Sequence, residues 1–530
     1  MTVNPAEFDD YFGCPAREAI ERSLLPRYLT RQRWFGGKAR RVDTVRIEDW
    51  TAFGHGDRRA ALVLATVRYA DGGDERYFIP IGVASTTGTD RLFEPTSASV
   101  IGRLETAGGD RVLFDALADP AVCDDLLESI AAGREHQATR GVICASRTTA
   151  FQQVRGPTSE PLSIARGAAE QSNSSILFRP RLIMKVFRRI EAGVNPDLEI
   201  GRFLTERAGF GRVPRTAGAI EYLRPGAEPA TLAIVQELVP DAANGWEHAL
   251  EQVRQYFDRV IAAGSGPPVW TYEYALEAGR LVGDYPATAA LLGRRTAEMH
   301  LALASDTLTS EFRPEPLVAA ELAASVAATG RQLAETLSTL DAASDRLPDA
   351  TRRDAALLLD RRDAITGRLD EVAGEPIAAG KIRVHGDYHL GQVLWAAGDF
   401  VILDFEGEPA RPIAERRAKQ SPLKDVAGML RSFGYAAYAA LFAHSAGRPA
   451  EPTRLEPYVR LWQRLTSASF LSAYHSAAGG SAWLPSDGRQ FASLLDYFLL
   501  DKACYELRYE LNNRPDWVRI PLRGILSLFD

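Results

Sequence analysis

The 530-residue sequence predicts an α+β protein in which strands dominate up to about residue 240 and helices dominate after it. Before residue 240, short runs rich in β-branched and aromatic residues are separated by Gly- and Asp-rich turns, a pattern typical of antiparallel strands. After it, apolar residues recur at intervals of three and four, which is typical of amphipathic helices. We therefore expect an N-terminal cap over residues 1–110, a mixed lobe over 111–240 and a helical lobe over 241–530.

The composition narrows the class of protein. Apolar residues make up 46% and charged residues 25%, which are ordinary values for a soluble globular chain. The 62 basic and 69 acidic residues give a net charge of −7, which argues against a general nucleic-acid binder. No apolar run approaches the ~18 residues of a membrane-spanning helix, so no membrane partner is expected. The four cysteines form no CxxC pair and the N-terminus has no secretion pattern, so we expect a cytoplasmic protein.

The cap is predicted to be an antiparallel meander. Three strand-like runs cover residues 42–50, 60–70 and 75–84, and the turn sequences GHGDRR and DGGD separate them. In the mixed lobe, strand-like runs recur, and one helix is predicted over 196–209, with Pro at its first turn.

The most informative segment is KIRVHGDYHLGQVLWAAGDFVILDFEGEP, residues 381–409. It predicts a short strand over Ile382–Val384, a polar loop and then a hairpin. Gln392 and Asp404 are equally distant from Gly398 in the turn, so a regular register would set them opposite each other, about 5 Å apart. Asp387, in the preceding loop, can face the same spot.

These side chains indicate phosphoryl transfer. A few hard oxygen ligands beside a polar loop suit Mg²⁺ that shares the phosphates of a substrate. In kinase-like enzymes a loop Asp receives the substrate proton, while a loop amide and a later Asp bind metal. We therefore predict Asp387 as the catalytic base and Gln392, Asp404 and Glu406 as metal ligands. Gln392 stands where an Asn is usual, which leaves the geometry of that ligand open.

An upstream strand supplies a candidate phosphate lysine. In RLIMKVF, Lys185 lies between apolar neighbours, so its ammonium must either snorkel to solvent or meet an anion. One strand earlier, the segment Glu170–Ser175 carries the backbone amides and hydroxyls of Ser172, Asn173, Ser174 and Ser175, which could cradle phosphate.

Two further segments complete the predicted nucleotide site. Glu199, on the following helix, could pair with Lys185, although a solvated helix face is an equally good interpretation. VQELV ends the last strand before the helical region, where backbone groups of Gln236, Glu237 and Leu238 could meet adenine.

A helix near the C-terminus offers a candidate sugar site. Lys502, Tyr505 and Tyr509 lie on one helical face, and tyrosine rings beside a cation suit a sugar. A buried core stripe is the alternative interpretation of this spacing. His385 and His389 lack the helical HExxH pattern, so zinc is not expected there. We expect His385 to brace the loop through the backbone and assign His389 to the substrate site. The basic run 411–419 could steer a nucleotide or be a solvated loop.

The sequence resembles the maltokinase family of bacterial glycogen and trehalose metabolism, and more closely the maltokinase-like region fused behind trehalose synthase. The motifs that carry the resemblance are LPRYLTRQRWFGGKAR, EQSNSS, LIMKVFRR, NPDLEIGRFLTE, VHGDYHLGQVL, DFEGEPARP, SPLKDVAGMLRSFGYAAYAA and YELRYELNNRPDWVRIPLRGIL.

The resemblance implies a bilobal protein-kinase-like fold with an N-terminal cap, and transfer of the ATP γ-phosphate to the anomeric hydroxyl of maltose. It implies the same roles for Asp387, Gln392, Asp404 and Lys185. It also implies that Lys502, Tyr505 and Tyr509 contact maltose. Tyr497 stands where some relatives carry Arg, so part of the sugar pocket can differ.

Alternatives remain open at this point. A related sugar kinase, such as a glucosamine kinase, would carry the same phosphate machinery, and its amino sugar would call for a carboxylate in the pocket. A non-catalytic subunit that regulates a separate trehalose synthase is a second alternative, and trehalose synthase is also a possible partner of an active kinase.

Overall fold

A computed structural model describes residues 9–12, 16–54, 59–85, 98–106, 109–167, 172–264, 279–445 and 451–529. The chain divides into two compact units. Unit 1 comprises residues 1–207 and 214–240, and unit 2 comprises residues 208–213 and 241–530.

The first sheet of unit 1 is the predicted meander. Its strands run antiparallel in the order β1-β2-β3-β5-β4, and the short strand β11 pairs with β3. Along β1 buried side chains such as Val45 and Ile47 alternate with more exposed ones, the period of two that a half-buried strand requires. The strands are β1 Val42–Phe53, β2 Arg59–Tyr69, β3 Asp74–Ser85, β4 Val100–Thr106, β5 Gly109–Asp115 and β11 Arg189–Ile190.

The motif RWFGG packs onto this sheet. Trp34 and Phe35 are buried and approach the rings of Tyr69 and Tyr77. A Cβ on Gly37 would lie 2.2 Å from the Tyr69 hydroxyl oxygen, so only glycine fits there. The motif is therefore part of the cap core.

The second sheet of unit 1 has the strand order β6-β7-β12-β13-β10-β9-β8 in the described residues. It shares one hydrophobic core with the first sheet, because Leu64 and Phe78 of the cap pack in the same cluster as Met184, Val186 and Leu232. The strands are β6 Glu135–Gln137, β7 Val142–Arg147, β8 Ser163–Arg166, β9 Asn173–Arg179, β10 Leu182–Phe187, β12 Thr216–Leu223 and β13 Ala230–Glu237. The helices of unit 1 are α1 Asp9–Phe12, α2 Ala16–Ala19, α3 Leu25–Arg31, α4 Pro120–Ala132, α5 Phe151–Arg155 and α6 Pro196–Phe203.

The helix predicted over 196–209 is confirmed. Asn195 caps α6 by accepting a hydrogen bond from the Asp197 amide, and Pro196 occupies the first turn. A π-helical turn, Leu204–Ala208, continues it.

Unit 2 is mainly helical in the described residues, as predicted. Among its helices, α8 packs against α14, and α13 packs against α7, α14 and α15. The helices are α7 Gly245–Ala263, α8 Tyr285–Leu303, α9 Ala319–Ala343, α10 Asp349–Asp360, α11 Arg362–Gly374, α12 Ile413–Arg417, α13 Leu423–His444, α14 Glu451–Ala478, α15 Gly488–Asn513 and α16 Arg519–Leu526. None of the helices in the described ranges has both the length and the apolar character needed to cross a lipid bilayer.

Two small sheets accompany these helices. One has the order β14-β17-β18 and the other pairs β15 with β16. The strand predicted over Ile382–Val384 is wrong: the strand ends at Lys381, and Ile382 forms only an isolated bridge with Gln420 because the chain turns there toward helix α13. The strands are β14 Ala243–Asn244, β15 Glu315–Pro316, β16 Gly380–Lys381, β17 Val393–Ala396 and β18 Asp399–Ile402.

Residues 208–213 belong to unit 2 although the chain on both sides belongs to unit 1. The Arg212 carbonyl accepts a hydrogen bond from the Ile402 amide at 2.8 Å, and the Arg212 guanidinium lies 2.9 Å from Asp399 Oδ2. Arg295 of α8 binds the same carboxylate at 2.7 Å. The β17–β18 hairpin is therefore held from two directions.

Candidate active site

The predicted register of the hairpin is wrong by one residue. Ala396 pairs with Asp399, and the Leu403 amide donates to the Gln392 carbonyl at 2.9 Å, so Gln392 lies opposite Leu403 rather than Asp404. The turn has two residues, Ala397 at φ 50° and Gly398 at φ 76°. Two positive φ values are the signature of the tight hairpin turn that matches strand twist, and its centre lies between these residues rather than on Gly398.

Asp404 leaves the hairpin in a left-handed conformation, with φ 61°. Such a backbone is uncommon for a residue other than glycine and is enriched at functional sites. A carboxylate oxygen of Asp404 lies within 4.8 Å of one of Glu406, close enough for both to bind one cation. The carboxylates of Asp404 and Glu406 offer hard oxygen donors, which fit Mg²⁺.

His385 braces the loop that carries Asp387, as predicted. Its Nε2 lies 2.7 Å from the Leu403 carbonyl oxygen, which can only accept, so Nε2 carries the proton. Nδ1 then accepts a hydrogen bond of 3.4 Å from the Asp387 amide. The ring thus ties the loop that carries Asp387 to the end of β18.

Asp425, at the start of α13, is a site residue that sequence reasoning missed. Its carboxylate accepts the His385 amide at 2.7 Å and the Gly386 amide at 2.9 Å, and His300 Nε2 lies 3.1 Å away. The Tyr474 hydroxyl lies 2.9 Å from the other nitrogen of His300. The available signal was a carboxylate within the otherwise apolar run DVAGML.

The ionisation of Asp425 matches this role. Burial acts to raise the pKa of the carboxyl, but hydrogen bonding to His300 and to the Gly386 amide outweighs burial and holds that pKa below its ordinary value. The carboxylate is therefore charged, and it accepts hydrogen bonds from the loop amides and from His300 of α8.

Asp387 lines a small cavity in unit 2, which we call the inner cavity. Lys502 Nζ lies 3.4 Å from Asp387 Oδ1, 3.5 Å from Glu408 Oε1 and 5.3 Å from the centre of the Tyr505 ring. The residues that line the inner cavity are Gln332, Gly386, Asp387, Tyr388, Glu408, Arg411, Lys424, Asp425, Gly428, Phe498, Asp501, Lys502 and Tyr505.

Lys502 is the electrostatic centre of this cavity. Burial alone would lower the pKa of its ammonium, but the carboxylates of Asp387 and Glu408 raise that pKa above its ordinary value. For Glu408, burial would raise the pKa, and Lys502 and Lys424 together hold it below the ordinary value. The lysine is therefore a permanent cation shared between two carboxylates.

The structure brings two of the three predicted sugar residues to the cavity. Lys502 and Tyr505 line it, whereas Tyr509 does not, because its side chain is 46% exposed and lies under the Arg514 guanidinium, 5.5 Å from the ring centre. A half-buried Tyr505 and an exposed Tyr509 rule out the core-stripe interpretation of this helix.

His389 lies beside Asp387. Its Nε2 is 3.8 Å from Asp387 Oδ2, and its Nδ1 accepts the Gly391 amide at 3.0 Å. Burial lowers the pKa of His389 despite the nearby Asp387 carboxylate, so the ring is neutral at pH 7.

The basic run 411–419 is paired with acids rather than free in solvent. Arg411 lies 2.7 Å from Glu408 Oε2, and Lys419 lies 2.5 Å from Glu315 Oε1. These pairs hold the run against unit 2.

In unit 1, Lys185 lies on the more open face of β10. It pairs with Ser175 on β9 and Ile234 on β13, so these three side chains share one face of the sheet. Lys185 Nζ lies 3.5 Å from Asp197 Oδ2, a fully buried carboxylate in the first turn of α6. Asp197 was missed from the sequence, and Glu199, which was predicted as the partner, is half-buried two residues further along the helix.

The predicted phosphate segment divides between two faces of β9. Asn173 and Ser175 share the face of Lys185, whereas the fully buried Ser174 accepts a hydrogen bond of 2.8 Å from Arg188 Nε on the other face. Ser172 is exposed just before the strand. Glu170 and Gln171 lie outside the described residues.

The predicted adenine segment ends β13. Gln236 pairs with Ile183 and lies on the face of Lys185. The amides of Glu237 and Leu238 donate to Arg215 and Arg181 carbonyls at 2.9 and 2.8 Å, and the Glu237 carboxylate binds the Arg215 guanidinium twice at 2.8 Å. Both amide donors are therefore engaged within unit 1.

Comparison with known proteins defines the class. Residues 28–119 match the maltokinase N-terminal cap domain. A solved glucosamine kinase in complex with glucosamine, ADP and inorganic phosphate aligns over 100% of both chains with a TM-score of 0.63 at 22% identity, which shows the shared fold. The predicted α+β kinase-like fold with an N-terminal β cap and a helical C-terminal region is thereby confirmed.

Two curated relatives define the family. The glucosamine kinase of Streptacidiphilus jiangxiensis is 30% identical over 371 residues, which are 69% of this chain and 74% of that protein. The glucosamine kinase of Mycolicibacterium smegmatis is 28% identical over 372 residues, 68% of this chain and 78% of that protein. The chain belongs to the sugar kinase family of these proteins.

Proposed function

We propose that the chain is a maltokinase, which transfers the γ-phosphate of ATP to the anomeric hydroxyl of maltose and yields α-maltose 1-phosphate and ADP. The observation that carries the proposal is the position of Lys502 between Asp387 and Glu408 in the inner cavity. Since this ammonium already compensates both carboxylates, the ammonium of an amino sugar would compete with it. A neutral sugar can instead donate its hydroxyls to these carboxylates and leave the ion pairs in place.

Asp387 acts as the base. The anomeric oxygen attacks the γ-phosphorus, its proton passes to the Asp387 carboxylate, and the bond to the β-phosphate bridging oxygen breaks. The role of the fixed loop is positioning, because Asp425 holds the two backbone amides before the base and His385 holds the amide of the base itself.

Gln392, Asp404 and Glu406 would hold Mg²⁺. When bound, the ion neutralises charge that develops on the transferred phosphoryl group. Within unit 1, Lys185 binds the α- and β-phosphates, and Asn173 and Ser175 of the neighbouring strand lie on the same face of the sheet. Asp197 orients the Lys185 ammonium.

Tyr505 and Lys502 bind the sugar. The half-buried tyrosine ring offers an apolar surface to a pyranose face, and the ammonium donates to hydroxyls. The neutral ring of His389, next to Asp387, can exchange a hydrogen bond with a hydroxyl near the reacting carbon.

Glucosamine is the second candidate acceptor. Both curated relatives are named glucosamine kinases, and two further carboxylates, Asp425 and Asp501, line the inner cavity. Asp501 Oδ1 accepts the Thr329 hydroxyl at 2.6 Å, and an acceptor ammonium could pair with this carboxylate.

An ADP-release assay over maltose, glucosamine and glucose tests the proposal. We expect the highest kcat/KM with maltose, and a KM for maltose about tenfold higher in Lys502→Met, since a hydrogen bond to a charged group is lost. Asp501→Asn should change maltose turnover little, as should the exposed control Asp370→Asn.

Two results would contradict the proposal. A preference for glucosamine that Asp501→Asn removes would assign the chain to glucosamine. No ADP release with any sugar would favour the non-catalytic subunit, and binding to a separate trehalose synthase would then be tested directly.

A further inference from the structure

The inner cavity adjoins a second, larger cavity in unit 2, of about 430 Å³, which we call the outer cavity. The two cavities share five lining residues, Gln332, Arg411, Lys424, Phe498 and Asp501. Cavities of about 300–1,000 Å³ suffice to enclose a drug-sized ligand, so the outer cavity has room for more than solvent. A molecule held at Asp387 can therefore extend past these five residues into a second binding space.

The chemistry of the outer cavity suits a neutral polyol. Its lining includes the hydroxyls of Ser325 and Thr329, the side-chain amides of Gln332 and Gln420, and the ring of Phe498. Hydroxyls and amides exchange hydrogen bonds with sugar hydroxyls in both directions, and an aromatic ring packs on the apolar face of a pyranose.

Three of the four cations that line the outer cavity are compensated by carboxylates, and the fourth, Lys424, donates a hydrogen bond of 2.9 Å to the side-chain oxygen of Gln420. Lys381 lies 2.5 Å from Glu321 Oε2 and Lys419 lies 2.5 Å from Glu315 Oε1. Arg411, at the junction of the two cavities, lies 2.7 Å from Glu408 Oε2. An anionic ligand would have to displace these carboxylates, so the lining favours an uncharged ligand.

We infer that the outer cavity is an additional glycosyl subsite, which extends the acceptor range to gluco-oligosaccharides longer than a disaccharide. The inference rests on the proposed function for the reacting end. The reducing-end hydroxyl lies at Asp387, and the units beyond the disaccharide, toward the non-reducing end, continue into the outer cavity. The reaction is unchanged: the anomeric oxygen gains the phosphoryl group, Asp387 takes its proton and ADP leaves.

A matched pair of variants on α9 tests the inference. Ala328 lines the outer cavity but not the inner one, whereas its neighbour Ala327 is exposed and lines neither. Ala328→Trp should fill part of the outer cavity, and Ala327→Trp adds the same bulk on another face of the helix. The measurement is kcat/KM for maltotriose, maltose and glucosamine in both variants and in the wild type.

We expect the wild type to phosphorylate maltotriose with a kcat/KM within about tenfold of that for maltose. Ala328→Trp should lower kcat/KM for maltotriose at least about tenfold and change that for maltose less than about twofold, whereas Ala327→Trp should change neither. The retained turnover of maltose also reports that the variant is folded.

Failure of the inference differs from failure of the proposed function. If the wild type uses maltose but not maltotriose, or if Ala328→Trp lowers both acceptors equally, the outer subsite is overturned and the maltokinase proposal stands. If the wild type uses glucosamine and neither glucan, the proposed function is overturned and the subsite falls with it.

Discussion

At the scale of single residues, the inner cavity depends on one ammonium that serves two carboxylates. Lys502 lies on α15 and Asp387 on the loop before β17, 115 positions apart in the chain. Hydrophobic periodicity placed Lys502 and Tyr505 on one face of a helix, but it could not place that face next to Asp387. The resemblance to maltokinases implied a base role for Asp387 and a maltose contact for Lys502, and the structure has the two side chains 3.4 Å apart.

Asp387→Asn tests the base. An amide cannot accept the proton of the anomeric hydroxyl, so kcat should fall by at least about 10²-fold. ATP affinity should be unchanged, because the assigned nucleotide residues lie in unit 1. ADP release and equilibrium nucleotide binding, measured on the same preparation, check both expectations.

The control for this variant is Asp370→Asn, which makes the same chemical change at an exposed position of α11. It should turn over like the wild type. Normal turnover in Asp387→Asn would remove the base assignment.

At the scale of elements, the hairpin and the loop that carries Asp387 show which local features the sequence pattern predicts and which it does not. The hairpin, the loop and the bracing role of His385 were predicted correctly. The predicted register was wrong because the sequence does not distinguish a two-residue turn from a three-residue turn here. The first turn position is occupied by Ala397, an unusual residue for a positive φ. Asp197 and Asp425 were missed because acids in the first turn of a helix are common as dipole partners.

Asp425→Asn tests the bond between α13 and the catalytic loop. An Asn can accept only one of the two loop amides through its oxygen, and its NH₂ faces a second donor. We expect unfolding free energy to fall by about 2 kcal/mol, the range for hydrogen bonds to a buried charged group. kcat should fall while the KM for ATP stays constant, because the loop carries the base.

The pH dependence of that loss follows from the pKa of Asp425, which lies below its ordinary value in the folded protein. A depressed folded-state pKa contributes stability above the ordinary value of about 4, and this contribution is lost as the pH falls through the folded pKa. The stability difference between wild type and Asp425→Asn should therefore be largest near neutral pH and shrink below pH 4. Denaturant titrations at several pH values measure it, and a constant difference would contradict the assignment.

At the scale of the whole molecule, the two sheets of unit 1 share one hydrophobic core. Arg188, directly after β10, is fully buried; it lies 2.5 Å from Asp115 Oδ2 at the end of β5 and 4.9 Å from the centre of the Trp34 ring. The next residues pair with β3 of the cap sheet. The sequence predicted a separate cap and lobe because each contains its own strands, and strand patterns do not report which sheets share a core.

Arg188→Met tests this junction. Removing the guanidinium leaves Asp115 buried without its shortest partner, so unfolding free energy should fall by about 3–5 kcal/mol. The affinity for ATP should also fall, because the strand that carries Lys185 loses its anchor. Denaturant unfolding and nucleotide binding provide the two measurements.

The neighbouring residue provides the control. Arg189 lies 3.6 Å from Glu75 and its side chain is 46% exposed, so Arg189→Met should cost less than about 1 kcal/mol. Equal losses in the two variants would mean that the buried pair is not what joins the cap to the nucleotide strands.

The assignment of residues 208–213 to unit 2 has a consequence for the separate expression of the two units. A cut after residue 240 looks natural, since it falls between the strand-rich and the helical parts. The N-terminal product, however, would contain residues 208–213. Among them is Arg212, whose carbonyl and guanidinium hold the β17–β18 hairpin. The helical half, expressed by itself or fused to another cap, would lack residues 208–213 of its own unit. The two units therefore have to be kept in one chain.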